Sequence, residues 1–272
     1  MQLAEKICTT LRHTDFLVHA DWMWDRVRPF YNQVLTFTGR RGLERVINGT
    51  DRVLVTPALR AVPEVYEPEV WHSLMSEVKA GNIVADVGVY IGLYSIALAQ
   101  HVGPSGRVFA FEPDPANYEI ARQHLALNGV SDRVDLIKAA VGAEAGWVAF
   151  SPAADVGHVL ASAPDGHVST VACVTLDETF AGRRLDVLKV DVEGYEEMVL
   201  RGALHLLCDP ARSPHALYIE VHPYAWPTLG TTSDSLLGLL SESDYSVSTV
   251  RNEPVTRIEA YGEIIARKNT RS

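Results

Sequence analysis

Short apolar runs alternate with amphipathic stretches along most of this chain. The runs at 83–87, 107–111, 134–138, 185–191, 216–222, 245–250 and near 260–267 have the length and continuity of strands buried on both faces. Between them, apolar residues recur at helical spacing over 92–102, 115–128, 194–206 and 232–242, and a further amphipathic helix near 68–79 stops at Gly81. Strand and helix in alternation predict an α/β fold, Rossmann-like, with a seven-stranded mostly parallel sheet and helices on both faces. Two stretches break the rhythm. Residues 140–175 are rich in Ala, Gly, Ser and Pro, with β-prone pieces at Trp147–Phe150 and Ser169–Val174, and are expected to form a substrate loop. Residues 1–65 mix aromatics with arginines and are expected to form short helices packed on the main domain as an N-terminal helical lid, with residues 66–272 as the ligand-binding domain.

The strand ends carry the chemistry. The run ending at Asp86-Val87-Gly88 is followed by Gly92 where a helix opens, and about 20 residues later another run ends in Phe111-Glu112-Pro113. Glycines let the backbone turn tightly against a ligand, and an acid at the next strand end accepts hydrogen bonds from ribose hydroxyls. A pyrophosphate loop would carry a glycine at position 90 and no acid at 86. Here Tyr90 and Asp86 stand there, and a carboxylate suits a ligand with a cationic end, such as the amino group of the methionine part of S-adenosylmethionine. In the next apolar run Lys189, Asp191 and Glu193 alternate with Leu188, Val190 and Val192 and so share one side of the strand. A further run ends in Glu220-Val221-His222. Strand ends of an open parallel sheet converge on one crevice, which brings these groups to the nucleotide site.

Taken in order, Asp-Val-Gly-x-x-x-Gly-x-Tyr-Ser, Phe-Glu-Pro, Leu-Lys-x-Asp-Val-Glu-Gly-x-Glu and a later Ile-Glu resemble the FkbM-type methyltransferases, over roughly Tyr66 to Lys268. Tyr66-Glu67-Pro68-Glu69 also looks like that family, whereas Val89-Tyr90 stands where the family usually has Ala-Asn. The resemblance implies a class I methyltransferase using S-adenosylmethionine, many of whose relatives O-methylate hydroxyls of sugars and natural products. On it, cofactor contacts are expected from Asp86, Gly88, Tyr90, Gly92, Glu112, Pro113 and Asp191, with Asn117 and Ala140 placed nearby by topology. A hydroxyl acceptor must lose a proton as it attacks. His222 is the candidate general base, with Asp191 and Lys189 completing the catalytic set; its bland alternative is a histidine that only closes its strand. Asp191 and Glu220, on neighbouring strand ends, are the candidate ligands of a Mg²⁺ ion, the alternative being a carboxylate pair that binds substrate hydroxyls. Glu193 reads better as favourable charge at a helix start, and Asp114 as a helix cap.

Composition narrows the partners. With 272 residues, 47% of them hydrophobic, the chain buries a full core. The formal net charge of −10 argues against nucleic acid as substrate, and nine Lys or Arg against six Asp or Glu in residues 1–60 leave +3 there and −13 in the rest. No membrane span or secretory leader is visible, so a cytoplasmic protein is expected. Cys8, Cys173 and Cys208 follow no metal or redox spacing. The expected partner is a small-molecule hydroxyl acceptor bound by the segments 1–65 and 140–175, and a homo-oligomer is left open. Rival readings are a nicotinamide-dependent oxidoreductase, for which the glycine loop and a Tyr-x-x-x-Lys pair are missing, a non-catalytic partner protein in which Tyr90 fills the methionine pocket, and an N-methylating enzyme that needs no base.

Overall fold

The computed structural model describes residues 41–151, 158–160 and 169–269, and divides the chain into two compact units, Met1–Tyr66 and Glu67–Ser272. The aromatic-rich stretch 1–40 expected as short helices lies outside the described residues. In the part of the first unit that is described, β1 (Leu43–Ile47) and β2 (Asp51–Val55) pair antiparallel, in place of the expected helix. Asn48 and Gly49, both at positive φ, make the turn between them. An Asn-Gly pair between two β-branched runs is a hairpin signal.

The second unit follows the alternation. After α1 (Pro68–Glu77) come β3 (Ile83–Val87), α2 (Leu93–Val102), β4 (Arg107–Phe111), α3 (Pro115–Leu127) and β5 (Val134–Ile137). The segment expected as a substrate loop instead folds as a small sheet from β6 (Ala140–Val141), β7 (Gly146–Ser151), β8 (His158–Leu160) and β9 (Ser169–Val174), in the order β6-β9-β7-β8. Its core is Ala140, Phe150, Val171 and Cys173. The main alternation resumes with α4 (Leu176–Thr179), β10 (Val187–Val190), α5 (Glu196–Arg201), α6 (Leu204–Cys208), β11 (Ala216–Val221), α7 (Ser233–Glu242), β12 (Tyr245–Ser248) and β13 (Gly262–Lys268).

The seven long strands form one sheet in the order β12-β13-β11-β10-β3-β4-β5. All neighbours from β11 to β5 run parallel, and β13 is antiparallel to both β11 and β12. Strand order reverses between β3 and β10, and ligands of open α/β sheets bind beyond the carboxyl ends of the strands at such a switch. The burial that holds the sheet is two-sided: Val84, Ala85, Val108, Ala110, Val187, Leu188, Leu217 and Ile219 have no exposed surface. Each enclosed Leu, Ile or Val contributes roughly 1.5–3 kcal/mol. The helix read over 194–206 is two helices, α5 and α6, and between them Gly202 leaves room for the Gly142 carbonyl oxygen, which a Cβ there would meet at 1.9 Å. The chain of the small sheet passes that close.

Candidate functional site

Three strand ends are stitched together by backbone at the switch point. Gly88 and Val89 donate their N–H groups to the Phe111 carbonyl at 3.1 and 3.2 Å, and Asp191 N–H reaches the Val87 carbonyl at 2.8 Å. Gly88 sits at φ +90, where a Cβ would meet the Asp191 carbonyl oxygen at 1.6 Å. Position 88 therefore admits glycine for two reasons, conformation and space. Gly92, at φ +89, starts α2. Tyr90 also lies at positive φ (+53), with its side chain exposed. Its N–H donates to Glu112 Oε2 at 2.7 Å, and Asp114 N–H donates to Glu112 Oε1 at 2.9 Å. Burial pushes Glu112 up to about 7, against the pull of those two bonds. Each carboxylate oxygen keeps a lone pair for a further donor. Pro113 and Asn117 follow directly, and the Asp114 side chain caps α3 by accepting from Ala116 and Asn117 N–H, as a helix cap should.

Asp86 and Lys189 sit side by side on neighbouring strands, both buried. Asp86 has no exposed surface; its Oδ2 accepts from Ser95 at 2.6 Å, and its Oδ1 has no hydrogen-bond partner among the described residues. Burial raises its pKa while the Lys189 ammonium lowers it. Lys189, level with Asp86 on the neighbouring strand, is 4% exposed. Its Nζ lies 3.3 Å from Asp191 Oδ2 and 4.6 Å from the Tyr94 ring centroid. An ammonium so enclosed is the counter-ion of the surrounding acids. The Ala140 side chain packs in the core of the small sheet.

Beyond Lys189 the acids gather. Oxygens of Glu67, Glu220 and Glu263 lie within 4.8 Å of one another, and ligand atoms of Asp191, Glu193 and His222 form a second such group. Asp191 and Glu220, paired above as Mg²⁺ ligands, thus fall in different groups. Tyr94 donates to Glu67 at 2.8 Å, and Tyr261 donates to Glu220. Burial and then the charge of Asp191 raise Glu220 to about 7; burial raises Glu263 to about 8 against the pull of Lys189.

His222 closes β11 and is 2% exposed. Its Nδ1 bonds Glu196 Oε1 at 2.7 Å, and its Nε2 lies 3.5 Å from Glu193 Oε2 and 3.9 Å from Glu220 Oε1. Burial pulls the imidazole pKa down, yet the Glu196 bond and the charges of Glu196, Glu193 and Asp191 hold it above the ordinary histidine value. The exposed rings of Tyr224 and Tyr261 lie 5.7 and 5.3 Å from the imidazole, centroid to centroid. Tyr224 donates to Glu193 at 2.7 Å, so Glu193 faces the site and is not a mere helix-start charge. Sequence reasoning missed Glu196, Tyr224 and Tyr261. The Gly-x-Glu spacing after Asp191 was the available signal for the first, and nothing local marks the tyrosines.

A strand order with β3 and β10 at the centre, an acid at the end of β4 and one antiparallel strand next to the edge is the class I methyltransferase arrangement. The model of the methyltransferase FkbM domain matches residues 86–247, more than half of the chain. The chain belongs to the FkbM methyltransferase family. As an FkbM protein it is an S-adenosylmethionine-dependent methyltransferase. It is 26% identical over 192 residues to the hexuronic acid methyltransferase AglP of Haloferax volcanii, covering 68% of this chain and 72% of that one. It is 25% identical over 163 residues to the methyltransferase sdnD of Sordaria araneosa, covering 47% and 62%. Among solved structures, an S-adenosylmethionine-dependent O-methyltransferase of Thermotoga maritima overlays with a TM-score of 0.44 at 18% identity, covering 81% of this chain and 78% of that one. The FkbM site fits the cofactor: Glu112 has acceptor capacity left for ribose hydroxyls, the Gly88–Gly92 backbone allows close approach, and the surrounding carboxylates suit a sulfonium. No helix among the described residues is long and apolar enough to cross a membrane.

Proposed function

We propose that this methyltransferase O-methylates a hydroxyl of a small molecule, a sugar or natural-product intermediate, with His222 as general base. The observation that carries the reading is His222 itself, an imidazole bonded through Nδ1 to a buried carboxylate while Nε2 faces the acids at the strand ends. The name of the Haloferax volcanii relative, a hexuronic acid methyltransferase, supports a sugar-type acceptor. Bound S-adenosylmethionine supplies an electrophilic methyl group on a sulfonium. Glu112 and the Gly88–Gly92 loop hold the ribose end, which aligns the cofactor for in-line attack. Asp191 and Glu193 orient acceptor hydroxyls, and Nε2 takes the proton of the attacking one. A positioned base of this kind contributes about 10²–10⁴-fold.

Thermal stability with S-adenosylmethionine, S-adenosylhomocysteine or NAD tests the cofactor reading. A ligand at about 100 times its Kd adds about 2.7 kcal/mol, so a clear rise in Tm is expected with both sulfur compounds and not with NAD. Glu112→Ala should lose most of that rise. Stabilisation by NAD alone would refute the reading, and repeating the titration with Mg²⁺ and with EDTA reads the divalent-ion dependence. An acceptor screen in the loaded enzyme, following S-adenosylhomocysteine release, then separates hydroxyl from amine acceptors.

A further inference from the structure

Glu196 opens the helix α5 with no exposed surface, and its carboxylate accepts three hydrogen bonds. Oε1 takes the Gly194 N–H and His222 Nδ1, each at 2.7 Å, and Oε2 takes the Trp226 Nε1–H at 2.8 Å. Its neighbour Glu197, also buried, spends its carboxylate on Arg201 and Ser235 instead. The difference is informative. A carboxylate flanked by N–H donors only accepts, so the proton between Glu196 and His222 belongs to Nδ1. A neutral imidazole carries one N–H, and with that proton at Nδ1 the lone pair is at Nε2. Among the described residues Nε2 makes no hydrogen bond, and it points among Asp191, Glu193 and Glu220, at 3.5 Å from Glu193 and 3.9 Å from Glu220. The rings of Tyr224 and Tyr261 limit how the imidazole can turn.

We propose that Glu196 is the positioning residue of the methyl-transfer site: it fixes His222 as the Nδ1–H tautomer and directs Nε2 at the acceptor. The proposal rests on the reading of His222 as general base. The Gly194 and Trp226 bonds already fix the carboxylate to its own loop and to the turn after β11; the third bond selects which imidazole nitrogen is basic. When Nε2 takes a proton, Glu196 faces the resulting imidazolium and stabilises it in place. The same geometry suits a metal ligand at Nε2, since ligating histidines donate their other N–H to a carboxylate. Two donors already in place favour the base: the Lys189 ammonium at Asp191 and the Tyr224 hydroxyl at Glu193.

The test is ¹⁵N spectroscopy of the full chain labelled in histidine, at a pH high enough to keep the ring neutral, with the His222 signals assigned by their loss in His222→Asn. Expected is a protonated, pyrrole-type Nδ1 and an unprotonated, pyridine-type Nε2. A protonated Nε2, or two equal averaged nitrogens, overturns the proposal in the wild-type protein alone. In Glu196→Gln one acceptor becomes a donor, and the single-tautomer signature should be lost; its persistence in the folded variant also overturns the proposal. S-adenosylmethionine and S-adenosylhomocysteine differ in one methyl and its positive charge, so the Nε2 signal should differ between the two complexes. Equal signals with both compounds bound remove His222 from the methyl site and overturn the base. Failure of both to bind by thermal shift refutes the cofactor reading instead, while the tautomer result still decides the role of Glu196. Selective broadening of His222 by one equivalent of Mn²⁺ would make Nε2 a metal ligand and overturn the base.

Discussion

Gly88 shows how tightly the site is built. Its missing side chain lets the Asp191 carbonyl settle against it, so even one methyl group must push β3 and β10 apart or twist the loop. Gly88→Ala is expected to cost about 3 kcal/mol or more, since backbone strain and overpacking add. Urea denaturation midpoints read the loss, and S-adenosylmethionine should stabilise the variant less than the wild type. Glycines 88 and 92 and Glu112 were legible in the sequence because a loop motif and a strand-end acid are local features. The burial of Asp86 was not, because it depends on Lys189 on one neighbouring strand and Ser95 on the helix that follows. Glu196 was hidden for a related reason. An acid in the first turn of a helix reads as complement to the dipole, and only the tertiary fold carries it to an imidazole 26 residues away.

Strands and helices differed in how readily they announced themselves. The seven main strands were legible because burial on both faces demands continuous apolar runs. The small sheet was legible only in part: the β-prone pieces at Trp147–Phe150 and Ser169–Val174 are β7 and β9, but exposed Trp147 and the two- and three-residue strands β6 and β8 gave no sign that they pair into a sheet. The break between α5 and α6 was equally invisible, since the close approach of Gly142 to Gly202 is a tertiary contact. The start of α7 carries a cap of its own, whose Ser235 hydroxyl also donates to Glu197 on α5. Thr232 accepts from Ser235 N–H while the Ser235 hydroxyl accepts from Thr232 N–H, a reciprocal cap at the helix start. Thr232→Ala should cost about 1 kcal/mol, with the loss seen in the denaturation midpoint and cofactor binding unchanged, because the cap lies away from the switch point. A loss of cofactor affinity in that variant would show that α7 feeds into the site.

Charge gives the protein a pH response. Glu112 and Glu220 have folded-state values of about 7, and Glu263 about 8, against an ordinary value near 4.5. The folded chain therefore keeps these protons at pH values where the unfolded chain has released them. The stability they contribute is fully present below about 4.5 and is lost as pH rises through 7 to 8. Tm is expected to fall between pH 5 and 8.5, and Glu263→Gln should flatten that fall; a Tm that rises over the interval would contradict the assignment. The order of the sheet has one more consequence, for the route by which the chain folds. β3 pairs with β4 and β4 with β5 across short connections, while β3 meets β10 only after about 100 residues have been closed into a loop, from Ile83 to Asp186. In pulsed hydrogen exchange during refolding, amides of β4 and β5 should become protected before those of β10 and β11; simultaneous protection would argue for a single concerted step. The seam between β3 and β10 holds the Gly88–Asp191 contact and the Lys189–Asp86 pair, so the charged centre of the sheet is assembled only when that long loop closes, after the β3–β4 ends have met.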